Sequence, residues 1–171
     1  MRVMQVRSIR FSVLAAALFA SLPSMNQPLR AQSDPQLPYW ASIDVDEARM
    51  RAGPSTEFPI KWIYHRKYLP VKVIDRMDAW RKVEDPDGDQ GWMHSRLLSG
   101  DRTAIVTGNI RPMRSNPDAG ARIAWRAEPG VVGRISDCDK GWCLFDVSGQ
   151  RGWIEASGLW GDEELPPAPD K

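Results

Sequence analysis

Few side chains in this sequence have chemistry suited to a reaction. The 171 residues include two histidines, His65 and His94, and two cysteines, Cys138 and Cys143. Nucleophilic catalysis needs an activated Ser, Cys or Thr with a base in reach. His65 lies in a basic run from Lys61 to Lys67, and His94 closes a Gly-Trp-Met-His segment. Both read as solvated or structural side chains, and no catalytic set is assigned. No Gly-rich phosphate loop occurs. Asp85-x-Asp87-x-Asp89 sets carboxylates at alternate positions, as calcium loops do. Gly88 then takes the fourth position, Gln90 the sixth, and Arg96 stands where a bidentate Glu is required, so turn chemistry explains these residues better. Cys138 and Cys143 have no two further ligands to complete a zinc site. They would close a disulfide in an oxidising compartment and remain two thiols in a reducing one. The expected complement of metals and cofactors is therefore none.

Recognition is the chemistry left. Eight tryptophans stand out. Side chains alternate across a strand, so Trp80 points away from Val83, and Trp142 away from Phe145 and Val147. If the latter three fill a core, Trp80 and Trp142 are at least partly outside, where rings can stack on sugars or peptides. They can equally cap a barrel or fill an interface between modules. Trp92 and Trp153, each following a glycine, read as packing residues. Lys61, Arg66, Lys67 and Tyr68 form a basic, aromatic group that can meet an anionic polymer or lie as a solvated face. These six, Trp80 and Trp142 among them, are the candidate ligand-binding residues.

The elements that position them form a repeat. Trp80–Glu84 and Gln90–His94 are strand-like runs around a Gly-containing turn, a hairpin signal. Trp142–Ile154 is a second version. Trp80 aligns with Trp142, Val83 with Phe145, and Gly91-Trp92-Met93 with Gly152-Trp153-Ile154. Upstream, Met50-Arg51 aligns with Met113-Arg114, and Trp62 with Trp125. The repeat is roughly 60 residues, enough for a small β module. In the first copy, strands are expected over 41–50, 60–65, 69–74, 80–84 and 90–94. The matching strands of the second lie near 122–126, 131–136, 143–147 and 151–155, and each copy ends in a short helical turn. The opening strand alternates Ile43 and Val45 with Ser42, Asp44 and Asp46, which implies one wet face. This is an all-β chain of two tandem five-stranded barrels.

The organisation follows. Residues 1–31 carry four Arg, no acid, and an apolar run from Phe11 to Leu22, too short to span a bilayer comfortably. They read as a signal peptide, cleaved after Ala20 or Ala31, which places the mature chain in the periplasm or outside the cell with no membrane span. Residues 32–38 are a linker, 39–100 the first module, 103–161 the second, and 162–171 an acidic, Pro-rich tail expected to be disordered. Without residues 1–31 the chain has 19 basic and 22 acidic side chains, a net charge of −3. That argues against nucleic acid, whose binders show a basic stripe. Modules of this size are marginal alone, so the two are expected to pack together or be stapled.

The segments Met-Arg-Ala-Gly-Pro-Ser-Thr (50–56), Leu-Pro-Val-x-Val-Ile (69–74), Trp-x-x-Val (80–83) and Gly-Trp-Met-His (91–94) resemble the bacterial SH3-like (SH3b) family. The chain looks like the tandem SH3-like proteins exported by Gram-negative bacteria. The second copy departs from the pattern: Asn116-Pro117 replaces Gly-Pro, and Leu144-Phe145 replaces Lys-Val. The resemblance covers about residues 40–161. It implies a binding or scaffolding role in the cell envelope, with peptidoglycan or its peptide as ligand, or a protein-interaction role with an envelope protein as partner. The fold hosts many functions, so the motifs specify architecture far better than ligand.

Overall fold

The computed structural model describes residues 36–169. The expected signal peptide and the start of the expected linker lie outside the described residues. The strands of the first copy are β1 (Tyr39–Ile43), β2 (Ala48–Arg51), β3 (Ile60–Tyr64), β4 (Pro70–Met77), β5 (Trp80–Glu84), β6 (Gln90–His94) and β7 (Leu98–Ser99). Those of the second are β8 (Thr103–Val106), β9 (Arg111–Arg114), β10 (Ile123–Ala127), β11 (Val132–Asp139), β12 (Trp142–Val147), β13 (Gln150–Glu155) and β14 (Leu159–Trp160). Short 3₁₀ turns at Ser95–Leu97 and Ala156–Gly158 precede β7 and β14. The two sheets have one topology: β3-β2-β6-β5-β4-β1-β7 and β10-β9-β13-β12-β11-β8-β14. The chain is all-β, in two copies of one architecture.

Each copy has seven strands where the sequence reading counts five. The opening stretch breaks at Asp44–Glu47, which splits it into β1 and β2, and a two-residue strand follows each 3₁₀ turn. In the first copy β1, β2, β4, β5, β6 and β7 all send side chains into one buried cluster that includes Ile43, Met50, Val71, Val83, Met93 and Leu98. A sheet whose successive strands share one core must wrap on itself. The second cluster includes Val106, Met113, Ile135, Cys143, Phe145 and Ile154. Val83 and Phe145 are fully buried, and Trp80 and Trp142 on the opposite parity are half-buried.

The Gly-Trp repeat has a steric cause. A Cβ on Gly91 would stand 2.8 Å from the Arg51 carbonyl oxygen, and one on Gly152 2.8 Å from the Met113 Cβ. Only glycine lets β6 cross β2, and β13 cross β9, at that distance. The tryptophans that follow, read from sequence as packing residues, pack outside the core. The buried positions are Gly91 and Met93, Gly152 and Ile154, so alternation puts Trp92 and Trp153 on the outer face. There Trp92 lies between Lys82 and Arg51 in the ladder, and Trp153 between Leu144 and Arg114.

β1 has no wet face. All five of its residues are buried, Ser42 included. One side faces the first core. The Trp40 indole meets Trp160 of the second copy edge-on, with ring centroids 4.7 Å apart, and Ile105 and Val132 of the second copy pack against the first cluster. The barrels are thus packed on each other, which offsets the small core of each.

The Asp85–Asp89 turn is organised by a carboxylate. Asp85 Oδ1 accepts from the amides of Asp87 (3.0 Å) and Asp89 (2.8 Å), and Oδ2 accepts from the Tyr64 hydroxyl at 2.8 Å. Asp85 is buried and its oxygens serve the loop, which is turn chemistry in place of a cation site. Burial, and next the bond to Asp85, raise the Tyr64 phenol well above its ordinary value. The folded state therefore favours neutral Tyr64, and this contribution is complete below the unfolded value near 10 and declines as pH rises above it. The stability advantage of wild type over Tyr64→Phe, read by urea unfolding, should shrink between about pH 9 and about pH 11. An advantage that stays constant or grows would contradict this.

Candidate functional site

The β3–β4 loop carries three of the sequence-selected residues to the second barrel. Arg66 Nη2 donates to the Gly130 carbonyl. Lys67 Nζ pairs with Asp44 at 3.7 Å and lies 5.2 Å from the centroid of the Tyr68 ring. Arg134, on β11, brings its Cζ to 5.5 Å from the same ring and pairs with Asp101 at 3.1 Å. The tyrosine thus sits among cations from both copies, within cation–π range. Beside it opens a cleft of about 350 Å³, with Val132, Gly133, Asp146 and Ser148 as its other wall. The hydrogen bond from Arg151, and next the Gly149 amide, hold the Asp146 carboxyl below its ordinary value. The cleft therefore combines an aromatic ring, cations and a fixed anion.

Tyr68 has an uncommon backbone. Its φ is +66°, a left-handed conformation that a bulky side chain rarely takes. Its amide donates to Ile43 O at 2.7 Å, and in the second copy Gly130 donates to Val106 O at 2.8 Å with φ +84°. The two positions are equivalent, and the second copy uses the residue that carries no steric cost there. A tyrosine held in such a conformation costs on the order of 1–3 kcal/mol, the kind of strain that clusters at ligand clamps.

The other selected residues lie elsewhere. Lys61 Nζ donates to Gln90 O at 2.6 Å and does not line the cleft. Trp80 is paired across the β5–β6 ladder with His94, ring centroids 5.4 Å apart in an edge arrangement. Trp142 stands opposite Glu155. His94 Nδ1 accepts from the Arg96 amide at 3.3 Å and so caps the 3₁₀ turn, which gives this ring a structural role. Cys138 and Cys143 form a disulfide across the β11–β12 hairpin.

Two exposed tryptophans were not selected from sequence. Trp62 on β3 is 49% exposed and Trp125 on β10 is 45% exposed. β3 and β10 are edge strands, and the signal for both was their match across the repeat without an apolar alternation around them. Arg134 was also missed, because nothing local in its strand points to a tyrosine in the other copy.

The chain belongs to the bacterial SH3 domain family, which it matches twice, over residues 44–100 and 107–161. Among solved structures it is similar to NlpC1 from Trichomonas vaginalis, at 14% identity over 75% of this chain and 48% of that one, with a TM-score of 0.34. NlpC2 from the same organism matches at 13% identity over 74% and 49%, TM-score 0.34. An NlpC/P60 family protein from Bacillus cereus matches at 14% identity over 71% and 56%, TM-score 0.33. The chain spans about half the length of these proteins. No match is found among curated proteins. No helix among the described residues is long and apolar enough to cross a membrane.

Proposed function

We propose that this protein is an exported, non-enzymatic binding module of the cell envelope that recognises peptidoglycan or its stem peptide in the Tyr68 cleft. The observation that carries this reading is Tyr68 itself, kept at a strained φ where the sister copy has glycine, with Lys67 and Arg134 near its ring. The ring offers an apolar face to a sugar or peptide, and the cations offer charge-assisted bonds to its carboxylates. Family membership supports a binding role, and the disulfide fits an oxidising compartment such as the periplasm or the exterior. Trp80 and Trp142 remain secondary contact candidates, each half-buried. Lys61 adds charge on a separate edge.

Tyr68→Gly separates binding from folding. Relief of the left-handed strain should leave stability unchanged or raise it by about 1 kcal/mol. Affinity for soluble fragments of digested sacculi, measured by titration calorimetry, should fall at least about tenfold, the loss expected when an aromatic residue that a ligand covers is removed. A folded Tyr68→Gly chain that binds as wild type does would reject the cleft. The alternative, an adaptor for another envelope protein, is favoured by a different feature of the first barrel.

A further inference from the structure

The tail beyond β14 crosses the first barrel. Arg102 Nη2 donates to Gly161 O at 2.9 Å, and the buried Trp40 indole N–H donates to Glu163 O at 2.9 Å. The Glu163 carboxylate pairs with Lys72 at 2.7 Å, and Lys72 lies 5.1 Å from the Trp40 ring. Further on, Ala168 packs against the first core cluster, and Ala168 and Pro169 form part of the wall of a cleft of about 380 Å³. Its other wall is β1 (Tyr39, Ala41), the β6–β7 turn (Ser95, Leu98) and Arg81, whose Nε donates to Tyr39 Oη at 3.1 Å. A segment of composition suited to disorder thus has an acidic anchor at one end and an apolar seat at the other.

Over 164–169 exposure recurs at every third residue, Glu164 and Pro167. Leu165 and Pro166 are half-buried, Pro167 is exposed, and Ala168 and Pro169 are half-buried. Polyproline II has three residues per turn, and prolines at 166, 167 and 169 set φ for it. Such a segment loses little conformational freedom on docking, so an otherwise small contact suffices to hold it.

We propose that the strip of the first barrel running from Trp40 and Lys72 to the edge of this cleft is a binding site for an extended, proline-containing peptide led by an acidic residue, and that residues 163–169 cover it in cis as a built-in competitor. A partner protein presenting the same chemistry binds by displacing the tail. The site is separate from the Tyr68 cleft, so it stands or falls independently of the wall reading.

The test uses the full chain and a labelled synthetic peptide of residues 162–171, read by fluorescence anisotropy. Ala168→Glu alters only the tail and should unseat it. An intramolecular occupant acts at an effective concentration near millimolar. Ala168→Glu should therefore bind the peptide at least about tenfold more tightly than wild type, since that competitor is removed. A peptide with Pro166, Pro167 and Pro169 replaced by alanine should lose most of this binding. Gly100 is exposed, and a Cβ there would come within 3.3 Å of the Ala168 Cβ. Adding Gly100→Leu to Ala168→Glu should accordingly block the peptide while leaving the fold intact. No binding to Ala168→Glu, equal binding to both chains, or equal binding of the proline-free peptide would overturn the proposal. A wild-type dimer that Ala168→Glu dissociates would place the tail on a second copy and overturn occupancy in cis.

Discussion

Phe145→Ala should unfold the second barrel. Phe145 is fully buried at the centre of that core, and β11 approaches it so closely that a Cβ on Gly133 would stand 2.7 Å from its Cζ. Truncating a buried Phe costs about 3–5 kcal/mol, the sum of lost transfer energy and the cavity left behind. A module of this size has a total stability of only about 3–8 kcal/mol at typical values per residue. Urea unfolding followed by tryptophan fluorescence should show a second barrel unfolded, or nearly so, at low denaturant. The disulfide closes too short a loop to offset a loss of this size. A variant with wild-type stability would mean that Phe145 is not the core residue its burial indicates.

Trp40→Ala should have an effect as large, and of a different kind. Trp40 is 2% exposed, meets Trp160 of the second barrel, lies under Lys72 and donates to Glu163 of the tail. Its removal deletes contacts to three parts of the chain at once, at a cost of about 3–5 kcal/mol. Loss of cooperativity is the more specific result. In wild type the transitions of the two barrels should overlap because each covers part of the other, and Trp40→Ala should separate them into two steps. Coincident transitions by fluorescence and far-UV circular dichroism in the variant would contradict a coupling role for this residue. Trp40→Phe keeps an aromatic ring, smaller than the indole, and loses the N–H, so it should leave the barrels coupled and make the tail more sensitive to protease.

The parts of the fold legible in the sequence are those set by local rules. Val83 and Trp80, Phe145 and Trp142 separated correctly by parity, because a strand with one buried face has period two. Gly91 and Gly152 marked equivalent places because a close strand crossing admits no other residue. β1 was misread because its other face is covered at Trp40 by Trp160 and closed at Ser42 by the Ser99 hydroxyl, residues far along the chain whose arrival no local pattern announces. The seat of the tail was not legible for the same reason. Its composition argues for disorder, and the contacts that place it come from Trp40, Lys72 and Gly100 of the other barrel.

The candidate site shows the same division. Tyr68 was selected for its basic, aromatic neighbourhood, but its partner Arg134 belongs to the other copy. Its strongest mark, a left-handed φ shared with Gly130, is a backbone property visible only in the structure. Asp85 ran the other way: its spacing hinted at a cation, and the structure spends its oxygens on Tyr64 and two amides. Two neighbouring features of one chain thus read as a binding cleft between the barrels and a peptide seat on the first. If both proposals hold, the wall and a protein partner are recognised through different surfaces.

The most direct test of the envelope-binding account is co-sedimentation of residues 32–171 with purified peptidoglycan sacculi at physiological salt. The account predicts pelleting that saturates with protein concentration and is reduced by soluble wall fragments. Protein that stays in the supernatant at every concentration, while folded by circular dichroism, would contradict it.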